Sequence, residues 1–300
     1  MTAASEAHGL GPHVVGLRVV VRRVLPGETG PSGGPAMTDL LGICTSWGGG
    51  ECVIQPERGE PVTIRLADIV SGKPVPPRPS VRHRVSTRAA EQHTLTLWPG
   101  LETQPLGEWV LRTDPAPVGR LLKRANSCLA IGDPGVDLAE AADRIRAFYG
   151  ARERQPLAQV ERGSDVDAAL SAAGWEPVPG GDADFLIASL SRALRAARTG
   201  DAEPRVTADG DRVRAEIDGV ASGRATLDGD WLGLHGLGVE PAHRRRGHGT
   251  AVVAALLEWG AERGATTAWL HVEVDNEPGL ALYERLGFTT HHTCRYLASG

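Results

Sequence analysis

The stretch L-G-V-E-P-A-H-R-R-R-G-H-G-T, Leu237 to Thr250, decides how the chain is read. An apolar run ends at Val239 and Pro241 breaks it. Three arginines follow, then Gly247, His248 and Gly249, and a helical pattern begins at Thr250. A strand, a basic glycine-containing loop and a helix in that order make a cradle for phosphate. The first amides of a helix have no partner within it, and the helix dipole adds partial positive charge where they point. Gly247 and Gly249 let the backbone approach an anion with no Cβ in the way. Arg244, Arg245 and Arg246 supply guanidinium forks that match phosphate oxygens. A run of arginines alone is more often a solvated surface. Its place between strand and helix gives it meaning.

A second segment, Leu270 to Phe288, reads L-H-V-E-V-D-N-E-P-G-L-A-L-Y-E-R-L-G-F. Together the two stretches resemble the GNAT-type N-acetyltransferase superfamily. The R-x-x-G-x-G of Arg244 to Gly249 is similar to that family's acetyl-coenzyme A pyrophosphate loop. The stretch from Asn276 through Tyr283 to Gly287 and Phe288 is similar to its second coenzyme-contacting segment. The likeness covers residues 205–300 well and the rest poorly.

Composition narrows the class. Thirty-two basic against 37 acidic side chains give a net charge of −5, so no global pull toward nucleic acid is expected. Cys44, Cys52, Cys128 and Cys294 show no C-x-x-C spacing, which fits free thiols in a reducing compartment. No apolar run reaches membrane-spanning length, and the N-terminal residues lack the regions of a signal peptide. A cytoplasmic protein with no membrane partner is expected.

The expected organisation is a tail at 1–12, a small all-β SH3-like barrel at 13–70, a proline-rich linker at 71–80, and two α/β halves at 81–195 and 196–300. The barrel rests on short β-branched pieces such as Val14–Leu25 and Leu40–Trp47, parted by turn signals. Residues 81–88 are basic and read as a solvated or interdomain strand. Further strands are expected at His93–Trp98, Glu108–Thr113, Lys123–Ile131 and Leu157–Glu161, with helices at Val136–Tyr149 and Asp165–Ala173. In the last third, Asp-Gly turns separate strands that end on Trp231–Val239. A helix then runs from Gly249 to Arg263, strand Thr267–Val274 follows, a helix opens near Pro278 and stops at Gly287, and strand Thr289–Leu297 closes the chain.

The two halves share a plan, with Gly174-Trp175 answering Gly287-Phe288. The first half lacks the arginine–glycine loop. It reads as a degenerate duplicate, so the fold class is α/β (α+β): a tandem mixed-sheet acyltransferase core behind a small barrel.

The resemblance implies chemistry for particular residues. Acyl transfer from a thioester requires that the coenzyme be held, the carbonyl polarised, the amine deprotonated and the leaving thiolate protonated. Strand Trp231–Val239 is implied to splay from Thr267–Val274, freeing backbone groups at Leu237, Gly238 and Val239 for the coenzyme arm. Gly233, Gly236 and Gly238 suit a bulged strand. Arg244, Arg245, Arg246, Gly247, His248, Gly249 and Thr250 form the pyrophosphate site. Asn276 either bonds the pantetheine arm or simply caps its helix. Tyr283 matches the family's general acid; otherwise it is a core tyrosine. Strand alternation puts Trp231, Gly233, His235, Leu237 and Val239 on one face. His235, with an ordinary pKa near 6.5, is then the candidate base, with Glu273 or a water as alternatives. No metal-ligand spacing is present among the histidines, so none is expected. Acetyl-coenzyme A is the expected co-substrate and a small amine or amino acid, glutamate included, the acceptor. A protein acceptor docked by the barrel, or a non-catalytic acyl-coenzyme A sensor, are the other readings.

Overall fold

Val19 and Val21 are buried while Arg18, Val20 and Arg22 are more open, and this period of two builds the first sheet. A computed structural model describes residues 9–30, 33–56, 59–75, 81–117, 119, 121–197 and 202–300. The chain divides into two units, Met1–Pro79 and Ser80–Gly300.

In the first unit, β1 (Arg18–Thr29), β2 (Pro35–Gly48), β3 (Glu51–Pro56), β4 (Val62–Arg65) and β5 (Ile69–Pro74) form an antiparallel sheet in the order β4-β3-β2-β1-β5. Val14, Val19, Val21, Cys44, Ile54 and Ile64 make its core. The expected closed barrel is not found: β4 and β5 stand at opposite ends of the sheet, and no pairing joins them among the described residues. Two further expectations are corrected. Ser71 to Pro74 is not linker but the end of β5, with Val21 opposite Gly72 and Val19 opposite Pro74. Pro74 is tolerated there because β5 is an edge strand. Residues 9–12 are not a loose tail, since Leu10 is buried in the same core. The tail at 1–8 and the linker at 76–80 lie outside the described residues.

The second unit begins with α1 (Thr87–Gln92), capped by the Ser86 hydroxyl, which accepts from the Ala89 N–H at 3.2 Å. That cap, and a 3₁₀ turn at Val81–Arg84, replace the strand expected over 81–88. His93–Trp98 is likewise no strand: His93–Thr96 is a 3₁₀ helix whose Thr94 and Thr96 hydroxyls bond back to the carbonyls of Glu91 and His93. The strand expected at Lys123–Ile131 shrinks to β8 (Cys128–Leu129) after a 3₁₀ turn at Lys123–Ala125. The Arg112 guanidinium takes the Ser127 carbonyl and hydroxyl, so Ser127 does not join the ladder there.

The remaining elements are β6 (Glu102–Leu106), β7 (Trp109–Thr113), α2 (Leu138–Gly150), β9 (Leu157–Glu161), α3 (Asp165–Ala172), β10 (Glu176–Pro177), β11 (Ala183–Ser189) and α4 (Leu190–Ala197). After them come β12 (Arg205–Asp209), β13 (Arg212–Ile217), β14 (Ala221–Asp228), β15 (Trp231–Val239), α5 (His248–Glu262), β16 (Thr267–Glu273), α6 (Glu277–Arg285) and β17 (Thr289–Ala298). One mixed sheet runs β12-β13-β14-β15-β16-β11-β17-β9-β8-β7-β6, with β10 paired to β17. β8–α2–β9 and β15–α5–β16 are the same unit twice, a parallel pair joined by a crossover helix. The repeats interleave, because β17 lies between β11 and β9. No helix among the described residues is long and apolar enough to cross a membrane.

Candidate active site

α5 is held by a stripe of Val252, Val253, Leu256 and Leu257 packed on the β13–β16 part of the sheet. Contact is close: a Cβ on Gly260 would fall 2.7 Å from Leu232. The helix start is open. Its N-cap is Gly247 at φ 84, and no side chain caps it. Arg245 is also left-handed, at φ 59. Arg244, Arg245, Arg246 and Gly247 are exposed, and His248, Gly249 and Thr250 are half-buried. A Cβ on Gly249 would lie 3.3 Å from Val239, whereas space is open around Gly247. Unpartnered amides, three guanidinium groups and a bare backbone fit a pyrophosphate.

The first repeat differs at the equivalent point. Asp137 caps α2, its carboxylate accepting from the Glu140 N–H at 2.8 Å. A carboxylate already occupies the place an anion would take, and no arginine flanks it.

β15 and β16 pair in parallel only from Trp231–Thr267 to Leu234–Leu270, then separate. Beyond Leu234, β15 stays paired to β14 alone. The Glu240 N–H donates to Val220 of the β14 side at 2.9 Å, which turns the Val239 carbonyl to the opposite, open edge. Alternation puts Leu237 on that edge too, while Gly238 faces its partner Ser222. A bulge interrupts the ladder between Ser222 and Arg224, with Gly236 at φ 61.

That bulge corrects the expected alternation. A Cβ on Gly233 would meet Trp269, whereas Leu237 lies beside Gly223 with Val252 and Leu256 of α5. His235 therefore shares the face of Gly233 and Trp269, and Leu237 and Val239 turn to α5. The extra residue at the bulge flips every side chain after it.

Tyr283 is buried in the core beneath α6, its ring edge-on to Phe288 at 5.6 Å. Burial pushes its phenol up to about 12, so it keeps its proton at neutral pH. The hydroxyl bonds no described residue. Asn276 caps α6, its side-chain oxygen accepting from the Gly279 N–H at 3.1 Å. Its amide N–H groups remain available.

His235 is half-buried, and burial first, then Arg224, Arg124 and Arg212, push it down to about 4. Its ordinary value near 6.5 does not hold here. The ring is neutral at pH 7, able to take a proton but weakly driven to do so. Glu273 ends β16 on the same face and is exposed. It borders a cavity of about 100 Å³ lined also by Trp98, Lys123, Arg124 and Tyr296. A wider groove of about 360 Å³ lies along β13 to β15 and reaches Arg214, Gly238 and Arg244. Sequence reasoning missed Arg124, whose Nε is buried without a partner. It missed His271 too, whose side chain is 1% exposed and 2.6 Å from Glu91. Arg124 stands in no motif, and only the fold brings it to His235; His271 stands in the second quoted segment, and only the fold pairs it with Glu91.

Known proteins share this architecture. A family profile described as "Probable histone acetyltransferase Rv0428c C-terminal" matches residues 188–297. The chain is 30% identical over 304 residues to the Mycobacterium tuberculosis protein named "Probable histone acetyltransferase Rv0428c", covering 94% of this chain and 95% of that one. It is 32% identical over 236 residues to a mycothiol acetyltransferase of Clavibacter sepedonicus, covering 65% and 77%. A solved GCN5-related N-acetyltransferase from Kribbella flavida matches in fold with a TM-score of 0.56 at 20% identity, over 74% of this chain and 96% of that one. With a relative matched almost end to end and the parallel pair opening beside an uncapped helix, the chain belongs to the GNAT-type N-acetyltransferase family.

Proposed function

We propose that the chain transfers the acetyl group of acetyl-coenzyme A directly to the primary amine of a small molecule or amino acid, glutamate among the candidates. The observation that carries this reading is the opening between β15 and β16 with the bare, arginine-flanked start of α5 at its mouth. The coenzyme pyrophosphate rests on the amides of His248, Gly249 and Thr250, and Arg244, Arg245 and Arg246 neutralise it. The pantetheine arm adds as a strand to the open edge at Leu237 and Val239, with the Asn276 amide beside it. Gly238 lets the arm lie close. A main-chain N–H of Leu237 or Val239 polarises the thioester carbonyl. The amine attacks that carbon, the C–S bond breaks, and Tyr283 gives its phenolic proton to the departing thiolate. His235, or Glu273, takes the amine proton directly or through a water. Lys123 and Arg124 in the small cavity suit an acceptor that carries a carboxylate, and Glu273 suits its ammonium. The coenzyme pool such a reaction draws on favours the cytoplasm.

A second reading, a protein acceptor docked by the first unit, draws support from the printed name of the Mycobacterium relative. Thiol release from acetyl-coenzyme A, measured across amino acids, amino sugars, polyamines and lysine peptides, separates the two. Turnover confined to peptides would overturn the small-acceptor reading, and none with any amine would overturn catalysis.

A further inference from the structure

Glu91 of α1 has a side chain with no exposed surface. Carboxylates are almost never buried so completely unless paired. Three side chains converge on one of its oxygens: His271 Nε2 at 2.6 Å, His292 Nε2 at 3.0 Å and Cys294 Sγ at 3.1 Å. His292 and Cys294 are two apart on β17 and so share a face. His271 reaches in from β16, across the Phe185 ring of β11, which stacks on His292 at 4.9 Å and meets His271 edge-on at 5.0 Å. The ligand atoms of Glu91, His292 and Cys294 all lie within 4.8 Å of one another.

The bonding network dictates which ring nitrogens carry hydrogen. The Val85 carbonyl can only accept, so His291 Nε2, 2.9 Å away, carries the proton. His291 Nδ1 is then a lone pair. His292 Nδ1, at 2.7 Å, must donate to it. His292 Nε2 is left with a lone pair aimed at Glu91 Oε1. Two acceptors 3.0 Å apart in a dry interior need a cation between them, which is either a proton or a metal ion.

The surroundings are those of a metal centre. A ligating imidazole typically donates its other ring N–H to a fixed acceptor, as His292 does to His291. The Cys294 sulfur accepts from Gln159 Nε2 at 3.2 Å, and the Gln159 carbonyl is held by Arg112 and Tyr296. Sulfur, imidazole nitrogen and carboxylate oxygen together suit zinc among the common divalent ions. A divalent ion against one thiolate and one carboxylate is neutral, which removes the cost of burying net charge.

We propose that Glu91, His292 and Cys294 bind one zinc ion that fastens α1 to the central sheet, with His271 holding the Glu91 carboxylate beside it. Zinc bonds of about 2.0–2.3 Å in a tetrahedron require the ligand atoms to part slightly from the Glu91 oxygen. Binding forms three bonds to the chain and one to a water. It releases two protons to solvent, the Cys294 thiol proton and the one otherwise shared by His292 and Glu91. The His271 Nε2–H goes on donating to the Glu91 carboxylate. Nothing is oxidised or reduced. The site is buried and ties a helix to the sheet, so its role is structural, and it stands whatever the acceptor of acetyl transfer proves to be.

The full-length protein, purified without chelator and dialysed against zinc, is expected to hold one zinc per chain by elemental analysis. Cys294→Ala and His292→Ala are expected to lose it. Chelation should lower the melting temperature of the parent, and added zinc should restore it. If the variants do not fold, the parent alone decides. Cobalt exchanged into the site should give a thiolate-to-metal charge-transfer band and the visible bands of tetrahedral cobalt. Protein that stays metal-free after zinc dialysis and shows no cobalt–thiolate band overturns the proposal, and the shared cation is then a proton. Full zinc content in a folded Cys294→Ala variant overturns it as well.

Discussion

The Arg244 Nε–H donates to the main-chain carbonyl of Val239 at 3.1 Å. This bond ties the arginine loop to the open edge of β15. The loop and the strand edge thereby keep one spacing, which is the spacing a coenzyme bound in the proposed way would need. Arg244→Lys retains the charge but has no Nε–H to hold this geometry. Coenzyme affinity is expected to fall roughly tenfold, about 1.4 kcal/mol, by calorimetry. Affinity equal to the parent would leave the bond without a role in binding.

Gly249→Val places a branched side chain where even a Cβ would stand 3.3 Å from Val239. The loss of coenzyme affinity should exceed that of Gly247→Ala. At Gly247 space is open and the cost is the left-handed backbone alone, about 1–2 kcal/mol of stability. Binding isotherms and thermal melts on the two variants test the order, and the reverse order would move the phosphates away from Gly249.

One coenzyme per chain is expected, since the Asp137 carboxylate fills the start of α2. Two sites by equilibrium dialysis would refute the assignment of the first repeat as degenerate.

Tyr283→Phe removes the phenolic proton and keeps the ring against Phe288. Coenzyme affinity should hold while kcat falls roughly 10²–10⁴-fold, the range for loss of a general acid. A kcat within about twofold of the parent would assign protonation of the thiolate to water or another group.

His235, pushed down to about 4, should give kcat/KM no acidic limb near pH 6.5 if it is the base; the limb should appear near 4. Stability has the same sign. Between about 6.5 and 4 the unfolded chain binds a proton at this ring that the folded chain does not, so stability falls as pH drops through that window. His235→Gln should flatten the fall in melting temperature between pH 6.5 and 4. An unchanged slope would place the ring in a more solvated setting.

The sequence carried the elements around the proposed coenzyme site well, and for local reasons. α5 and α6 have apolar stripes, a proline in the first turn of α6 and a glycine after it, all readable within a few residues. Features set by distant partners were not readable. The glycines of G-L-H-G-L-G predict a bulge, and β15 has one, but they do not say after which residue the faces switch, so only the register with β14 fixes the face of Leu237. Ser86 reads equally as part of a strand or as a cap. The cluster joins Glu91 to side chains 180 to 203 residues further along the chain, so no spacing rule could expose it.

The place of β17 between β11 and β9 also bears on the order of events during synthesis. The ribosome delivers the first repeat early, but the strand that bridges it to the second emerges after every other strand of the sheet. Until Thr289–Ala298 arrives, β9 and β11 each hold an unpaired edge, the kind of surface that recruits other chains. Completion of both repeats is therefore a single late step, and a nascent chain stalled short of β17 has neither repeat finished.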